Sequence, residues 1–101
     1  MSQTVSVQVE IKNIALLKKV CEKLGYTYNL QKNTIEGNLY RPAKIEKNKI
    51  IFDSVDSNKI NAILNEYAYE DIKARLIEMD AFIIGETRTQ NEIVLEIELP
   101  D

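Results

Sequence analysis

Apolar and polar residues alternate at both ends of this chain, and the alternation limits the fold more than any other feature. The apolar positions are Val5, Val7, Val9 and Ile11 near the start and Ile93, Leu95, Ile97 and Leu99 near the end. Successive side chains of a strand point to opposite faces, so each segment has one apolar and one polar face. The sequence therefore predicts terminal strands that share one dry sheet surface, covered by helices on that side only.

The first helix is predicted directly after the opening strand. Asn13 offers an N-cap, because its side chain can accept a hydrogen bond from a free amide of the first turn. Apolar residues then follow at helical spacing, namely Leu17, Val20, Cys21 and Leu24. Gly25 supplies the left-handed residue that commonly ends a helix.

A second, longer helix is predicted between the capping residues 53–57 and Met79. Its apolar residues recur at steps of three and four: Ile60, Ile63, Leu64, Tyr67, Ala68, Ile72, Leu76 and Met79. This spacing is typical of one amphipathic stripe. Glu78 and Asp80 lie at the negative end of the helix dipole, where Arg75 or Arg88 is the expected partner.

Shorter strands are predicted in the middle of the chain. Alternation over residues 26–30 leads through a turn at 31–33 into a strand at 34–40 with a bulge at Gly37, and a hairpin joins Ile45 to Phe52. The order is strand, helix, two or three strands, helix and two strands. It favours a single α+β domain over residues 1–101: a ferredoxin-like βαββαβ two-layer sandwich with an extra hairpin, and two helices on one face of a mostly antiparallel sheet.

The absence of certain side chains excludes most catalytic chemistry. The chain has no histidine and a single cysteine, Cys21, so the commonest proton-transfer group and zinc sites built from cysteine pairs are both missing. Cys21 falls on the apolar stripe of the first helix, where a free cysteine acts as a small apolar residue. No calcium-binding or phosphate-cradling motif is present. We therefore expect no enzyme activity, no cofactor and no metal.

Charge is divided unevenly along the chain. Residues 1–50 carry nine Lys/Arg and four Asp/Glu, a net +5, whereas residues 51–101 carry four and twelve, a net −8. This asymmetry suggests a charged partner or head-to-tail self-association. No apolar run is long enough to span a membrane, and the start lacks a hydrophobic signal segment, so a cytoplasmic protein without membrane contact is expected.

Nucleic-acid binding is not expected from the same residues. The basic cluster consists of Lys18, Lys19, Lys23, Lys44, Lys47 and Lys49. It lacks the interleaved aromatic residues on which RNA bases stack, and the predicted wet strand faces carry carboxylates that repel phosphate.

Five residues are candidate partner-binding positions. Tyr69 lies about 200° around the predicted helix from the apolar Tyr67, so it either stands exposed to a partner or packs on a neighbouring loop. Glu66 and Glu70 belong to an acidic outer face of that helix, and Glu96 and Glu98 share the polar face of the last strand.

Two segments resemble a known family. The first segment is SVQVEIKNIALLKKVCEKLGY at residues 6–26. The second is NEYAYEDIKARLIEMDAFIIGE with EIVLEIEL, at residues 65–86 and 92–99. Both are similar to the uncharacterised Ycf thirty-five-like proteins of chloroplasts and cyanobacteria. The resemblance covers about residues 5–37 and 65–99. It implies a strand leading to a Leu-Leu helix and a Tyr-Ala-Tyr helix leading to a final strand pair. This chain departs from the family at Glu70, where a histidine or basic residue is typical, and the family implies no activity.

These observations favour a non-enzymatic protein–protein interaction or regulatory module. One form of this hypothesis is a homodimer formed through a sheet edge or the outer sheet face. The alternative is a small acidic inhibitor, encoded by a virus or mobile element, whose carboxylates occupy a partner's nucleic-acid site. The third hypothesis is a small enzyme or ligand-binding domain.

Overall fold

The structure is a computed structural model of the 101-residue chain that describes residues 3–9, 11–46, 49–89 and 93–98. Its elements are β1 (Thr4–Gln8), α1 (Ile14–Lys23), β2 (Thr27–Asn29), β3 (Thr34–Glu36), β4 (Ala43–Glu46), β5 (Lys49–Asp53), a short 3₁₀ helix (Ser54–Asp56), α2 (Ser57–Glu78), β6 (Phe82–Arg88) and β7 (Ile93–Glu98). The predicted α+β class, with two helices and antiparallel sheets, is confirmed.

The strands form two sheets. A five-stranded sheet has the order β1-β5-β4-β3-β2, and β6 pairs with β7 in a two-stranded ribbon; every pairing is antiparallel. Backbone contacts divide the chain into an N-terminal unit, residues 1–64, and a C-terminal unit, residues 65–101. The expectation of one folding domain stays a prediction.

The ferredoxin-like arrangement is not confirmed. The terminal strands, which we expected to share one dry surface, belong to different sheets, since β1 pairs with β5 and β7 pairs with β6. Val7 and Ile97 are also 37% and 39% exposed, so neither is dry. Alternation reveals which side of a strand is apolar, but it contains no information about the strand to which that segment is hydrogen-bonded.

One face of the five-stranded sheet forms the core of the N-terminal unit. Cross-strand neighbours share a face, and the register aligns Tyr28, Ile35, Ala43, Ile45, Ile50 and Phe52 on the buried side. α1 contributes Leu17, Val20 and Cys21 to this core, and the first turns of α2 contribute Ile60 and Ile63. Each fully buried Leu or Ile stabilises the unit by about 1.5–3 kcal/mol. The opposite side, called the polar face, carries Ser6, Gln8, Thr34, Lys44, Glu46 and Lys49.

The loop between β3 and β4 begins earlier than the sequence suggests. The predicted strand continues to Tyr40, but β3 ends at Glu36, because Gly37 has φ +121° and leaves the extended conformation. The buried Asp56 carboxylate accepts hydrogen bonds from the backbone amides of Tyr40 at 2.9 Å and Arg41 at 3.3 Å. The predicted bulge at Gly37 is therefore wrong. The chain forms a loop there, which is held by the hydrogen bonds to Asp56.

Both helices end in the same hydrogen-bond motif. At the end of α1, the amide of Gly25 donates to Glu22 and that of Tyr26 donates to Cys21, at 3.1 and 2.7 Å. The end of α2 repeats this pattern around Asp80, which takes the left-handed position with φ 58°. The predicted roles of Asn13 and Gly25 are confirmed, since Asn13 Oδ1 accepts the amide hydrogen of Leu16 at 3.1 Å. A glycine fits the left-handed position without steric cost, whereas aspartate does not.

The single apolar stripe predicted for α2 is only partly correct. Ile60, Ile63 and Tyr67 are buried as expected, but Ile72 and Met79 are 47% and 59% exposed. Within the C-terminal unit the helix buries Leu76 of the predicted stripe and, outside that stripe, Glu66 and Tyr69. A stripe extrapolated along 22 residues assumes that one face stays buried throughout, and that assumption fails in the second half of α2.

Replacing Asp80 should stabilise the protein. We expect Asp80→Gly to raise the free energy of unfolding by about 0.5–1 kcal/mol, because it removes both the left-handed strain and a negative charge at the helix C-terminus. Gly25→Ala is the matched opposite change and should cost about 1 kcal/mol, since Gly25 has φ +92° and no neighbour within 4 Å that a methyl group would contact. Urea denaturation of both variants measures these changes. A lower urea midpoint for Asp80→Gly would contradict the assignment.

Candidate functional site

The C-terminal unit has a small apolar core. Its described buried apolar residues are Tyr67, Tyr69, Leu76 and Ala81, against eleven in the N-terminal unit. Four such residues stabilise a helix and a two-stranded ribbon poorly, because an isolated ribbon is marginal in water. Polar contacts must therefore contribute to the cohesion of this unit.

A cluster of charged and aromatic side chains joins α2 to the ribbon. Arg88 Nη1 donates to Glu66 Oε2 at 2.9 Å, and Arg88 Nε donates to Glu86 Oε1 at 3.0 Å. The Arg88 guanidinium also lies over the ring of Tyr69, with Cζ 4.6 Å from the ring centroid. We call Glu66, Tyr69, Glu86 and Arg88 the arginine cluster.

The arginine cluster holds the ribbon against α2 and is not suited to proton transfer. The hydrogen bond that Arg88 donates to Glu66, followed by the one that it donates to Glu86, raises the pKa of Arg88 above its already high ordinary value. Arg88 therefore stays a cation at every pH at which the protein folds. Its flat guanidinium contacts a carboxylate at its edge and an aromatic ring on its face, which lysine cannot do simultaneously.

The structure separates the five predicted partner-binding residues into two groups. Tyr69 and Glu66 are 9% and 7% exposed and belong to the arginine cluster. The predicted exposed position of Glu66 is therefore wrong, and of the two alternatives for Tyr69 the structure has the packed one, against Arg88. Their side of α2 is covered by Arg88 of the ribbon. Glu70 is half-buried, whereas Glu96 and Glu98 are exposed as expected.

Glu96 and Glu98 lie on the outer ribbon face. The register pairs Phe82 with Glu98, Gly85 with Glu96 and Thr87 with Val94, so these six residues define that face. Glu96 lies across Gly85: its Oε2 would be 3.2 Å from a Cβ atom at that position. The outer ribbon face therefore presents two carboxylates beside the exposed side chains of Phe82 and Val94.

Exposed apolar side chains are concentrated in the C-terminal unit. The large ones among its described residues are Ile72, Ile77, Met79, Phe82, Ile84, Val94 and Ile97, with Phe82 reaching 67% exposure. Our sequence analysis missed this surface. A signal was present, because Phe82, Ile83 and Ile84 are consecutive and a regular strand cannot turn all three to one face. A register irregularity between Ile83 and Gly85 accompanies them.

A groove along α2 offers little room for a small molecule. It has a volume of about 140 Å³ and is lined by Asn65, Ala68, Tyr69, Ile72 and Leu95. Sites for drug-sized ligands usually measure roughly 300–1,000 Å³.

Cys21 is placed for packing rather than chemistry. It is a free cysteine with 0% exposure, as the helical pattern predicts. Burial, followed by the charge of Glu22, raises the pKa of the Cys21 thiol to about 11. Because the thiolate is the nucleophilic form, this environment suppresses reactivity near neutral pH.

Comparisons with known proteins identify no relative. The sequence matches no protein-family model and no curated protein, and no solved structure matches the chain. The resemblance to Ycf thirty-five-like proteins therefore stays a prediction. In the described segments, no three Cys, Asp or Glu side chains come together as metal ligands. None of the helices in those segments is both long and apolar enough to cross a membrane.

Removing Arg88 should loosen the C-terminal unit. Arg88→Met keeps the aliphatic stem and leaves the buried Glu66 without its guanidinium partner, so we expect a loss of about 1–3 kcal/mol in unfolding free energy. The expected loss of unfolding free energy is smaller than for a fully buried ion pair, because the Arg88 side chain is 45% exposed and screened by solvent. Urea denaturation gives the value. Adding Glu66→Gln should restore part of the loss, which a double-mutant cycle measures.

A matched control is available in the same helix. Arg75 forms an exposed ion pair with Asp71 at 3.0 Å, and Arg75→Met should cost less than about 0.5 kcal/mol. Equal losses for the Arg88 and Arg75 variants would contradict the special role of the arginine cluster.

The folded protein should protect Cys21 from alkylation. At pH 8, iodoacetamide should modify native Cys21 about 100-fold more slowly than the urea-unfolded chain, because the pKa rises from 9.0 to about 11. Because the pKa of Cys21 is higher in the folded than in the unfolded state, the protonated thiol contributes to the free energy of unfolding. This contribution is present below pH 9 and is lost as the pH rises from 9 to 11. Mass spectrometry measures the labelling, and urea midpoints at pH 8 and pH 10.5, with Cys21→Ala as control, measure the stability. Equal labelling rates in native and unfolded protein would refute the buried placement.

Proposed function

We propose that this protein is a non-enzymatic interaction module whose C-terminal unit binds a basic protein surface. The observation that carries the proposal is the set of seven large apolar side chains that this unit exposes beside carboxylates. The partner presents apolar side chains flanked by lysine or arginine. Phe82 is the expected anchor, because exposed aromatic residues supply a large share of binding energy at protein interfaces.

The apolar part of the proposal follows from the imbalance within the C-terminal unit. Four described apolar residues are buried there and seven large ones are exposed, including Phe82, Ile77 and Ile84 at 67%, 66% and 62%. Single exposed apolar residues are ordinary, whereas contiguous groups of them are typical of interaction surfaces. Phe82 and Val94 share the outer ribbon face. Covering this surface gives the free energy for association.

The charge of the unit selects a basic partner. Residues 65–101 contain three Lys/Arg and ten Asp/Glu, a net −7. Arg88 is already engaged by Glu66 and Glu86, and Arg75 by Asp71. Glu96 and Glu98 stay exposed beside Phe82 and Val94. Such a rim steers a basic partner and opposes an acidic one.

The same rim argues against two other occupants. In a symmetric dimer through the outer ribbon face, Glu96 and Glu98 of the two copies would approach each other, and like charges at close range are unfavourable. A nucleic acid would bring its phosphates to the same carboxylates. We therefore place a different protein, rather than a second copy or an RNA, on this surface.

An acidic inhibitor is the second candidate function. Exposed Glu96 and Glu98 favour it, because spaced carboxylates can occupy the phosphate-binding positions of a nucleic-acid-binding partner. A ferredoxin-like arrangement and membership of the Ycf thirty-five-like family would be compatible with either function and would select neither.

Substitutions on the exposed surface test the proposal. We expect Phe82→Gln and Ile84→Gln to weaken binding to the captured partner by about tenfold or more, because a central aromatic or apolar anchor contributes strongly to affinity. Both changes should alter the unfolding free energy by less than about 0.5 kcal/mol. The measurement is partner capture with chemical crosslinking and mass spectrometry, followed by titration of the identified partner.

One pair of control variants and one test of the charge contribution complete the experiment. Leu30→Gln and Val55→Gln remove apolar side chains that are 54% and 64% exposed in the N-terminal unit, and they should leave affinity unchanged. Glu96→Gln with Glu98→Gln should weaken binding more at low salt than at high salt. If Phe82→Gln binds like Val55→Gln, the surface is misassigned. Competition by added DNA or RNA would favour the inhibitor, and a concentration-dependent dimer mass would favour self-association.

A further inference from the structure

The N-terminal unit contains a larger pocket that the proposed interaction does not use. It has a volume of about 560 Å³ and lies at the end of the polar face where β1, β4 and β5 meet the turn between β2 and β3. This volume falls within the range of small-molecule sites. The pocket-lining residues that matter here are Gln8, Lys32, Asn33, Lys44, Glu46 and Lys49.

The described lining of this pocket is basic. Lys32, Lys44 and Lys49 supply three cations, and Glu46 is the carboxylate among the lining residues. Glu46 contacts the ammonium groups of Lys44 at 3.2 Å and Lys49 at 3.7 Å. The carboxylate therefore holds two lysines close together and neutralises one of three charges, which leaves the lining with a net +2.

Hydrogen bonds to backbone amides hold the turn that carries Lys32 and Asn33 at one side of the pocket. Asn29 Oδ1 accepts the amide hydrogens of Gln31 and Lys32 at 3.0 and 3.1 Å, which sets the turn that carries Lys32. Asn33 adopts a left-handed conformation, and its carbonyl accepts the amide hydrogen of Ile45 at 2.8 Å, which ties the turn to β4. On the other side, register pairing aligns Gln8 with Lys49. A pocket with fixed walls pays less entropy on binding.

We propose that this pocket binds a small phosphate-bearing molecule. A phosphate group carries about −1.5 to −2 charges at neutral pH and accepts several hydrogen bonds, which matches a +2 lining with the side-chain amides of Gln8 and Asn33 as neutral donors. Lys32, Lys44 and Lys49 line the same pocket, and its described lining residues include no aromatic side chain for base stacking. These features favour a small ligand over a nucleic-acid strand.

Titration with inorganic pyrophosphate and with ADP tests the proposal on the intact chain. Amide chemical shifts in ¹⁵N NMR should change around Lys32, Lys44 and Lys49 and saturate. Lys32→Gln and Lys49→Gln should each weaken binding by about five- to tenfold, because one of three converging cations is lost. Glu46→Gln should instead strengthen binding by a few fold, since it removes the opposing carboxylate. Lys19→Gln, at an exposed lysine of α1, is the charge-matched control and should leave the dissociation constant unchanged.

Three results would overturn the proposal. The first is equal weakening by Lys19→Gln and Lys32→Gln, which would mean general attraction to a basic unit. The second is the absence of saturable shifts at the pocket with either probe. The third is length-dependent, tighter binding of a single-stranded oligonucleotide than of ADP, which would assign the lysines to a nucleic-acid strand. None of these outcomes bears on the Phe82 surface, so the two proposals fail independently.

Discussion

The register of β5 between β1 and β4 is the constraint on which the N-terminal unit depends. Ile50 lies opposite Val7 on one neighbour and Ile45 on the other, so three apolar side chains share one face. Slipping β5 by one residue would exchange that face for the one that carries Lys49 and Ile51. The same register therefore fixes the core and places Lys44 and Lys49 of the pocket on the opposite side of the sheet.

The C-terminal unit solves a different physical problem. A ribbon and the second half of α2 cannot bury enough apolar surface, so Arg88 joins them by contacting Glu66, Glu86 and the ring of Tyr69. Polar and aromatic contacts thus hold the ribbon face that carries Arg88 against α2, whereas Phe82 stays exposed to water. The contacts of Arg88 and the exposed side chains of Phe82 and Val94 therefore lie on opposite faces of the same ribbon.

The two charged regions suggest two kinds of recognition in one short chain. Residues 1–64 carry ten Lys/Arg and six Asp/Glu, a net +4, whereas residues 65–101 carry a net −7. The positive region contains the pocket at Lys32 and Lys49, for which we propose a phosphate-bearing ligand. The negative region exposes Phe82, for which we propose a protein partner. Pocket shape and apolar exposure distinguish the ligands more sharply than net charge does.

The sequence alone determined the features that depend on neighbouring residues. Asn13 and Gly25 set the ends of α1, and helical spacing placed Cys21 in the core, because caps and periodicity act within a few residues. Only the tertiary structure decided that the terminal strands separate into two sheets and that Tyr69 is buried beneath Arg88. Strand partners and the burial of a helix's second face depend on contacts between distant residues, about which local alternation carries no information.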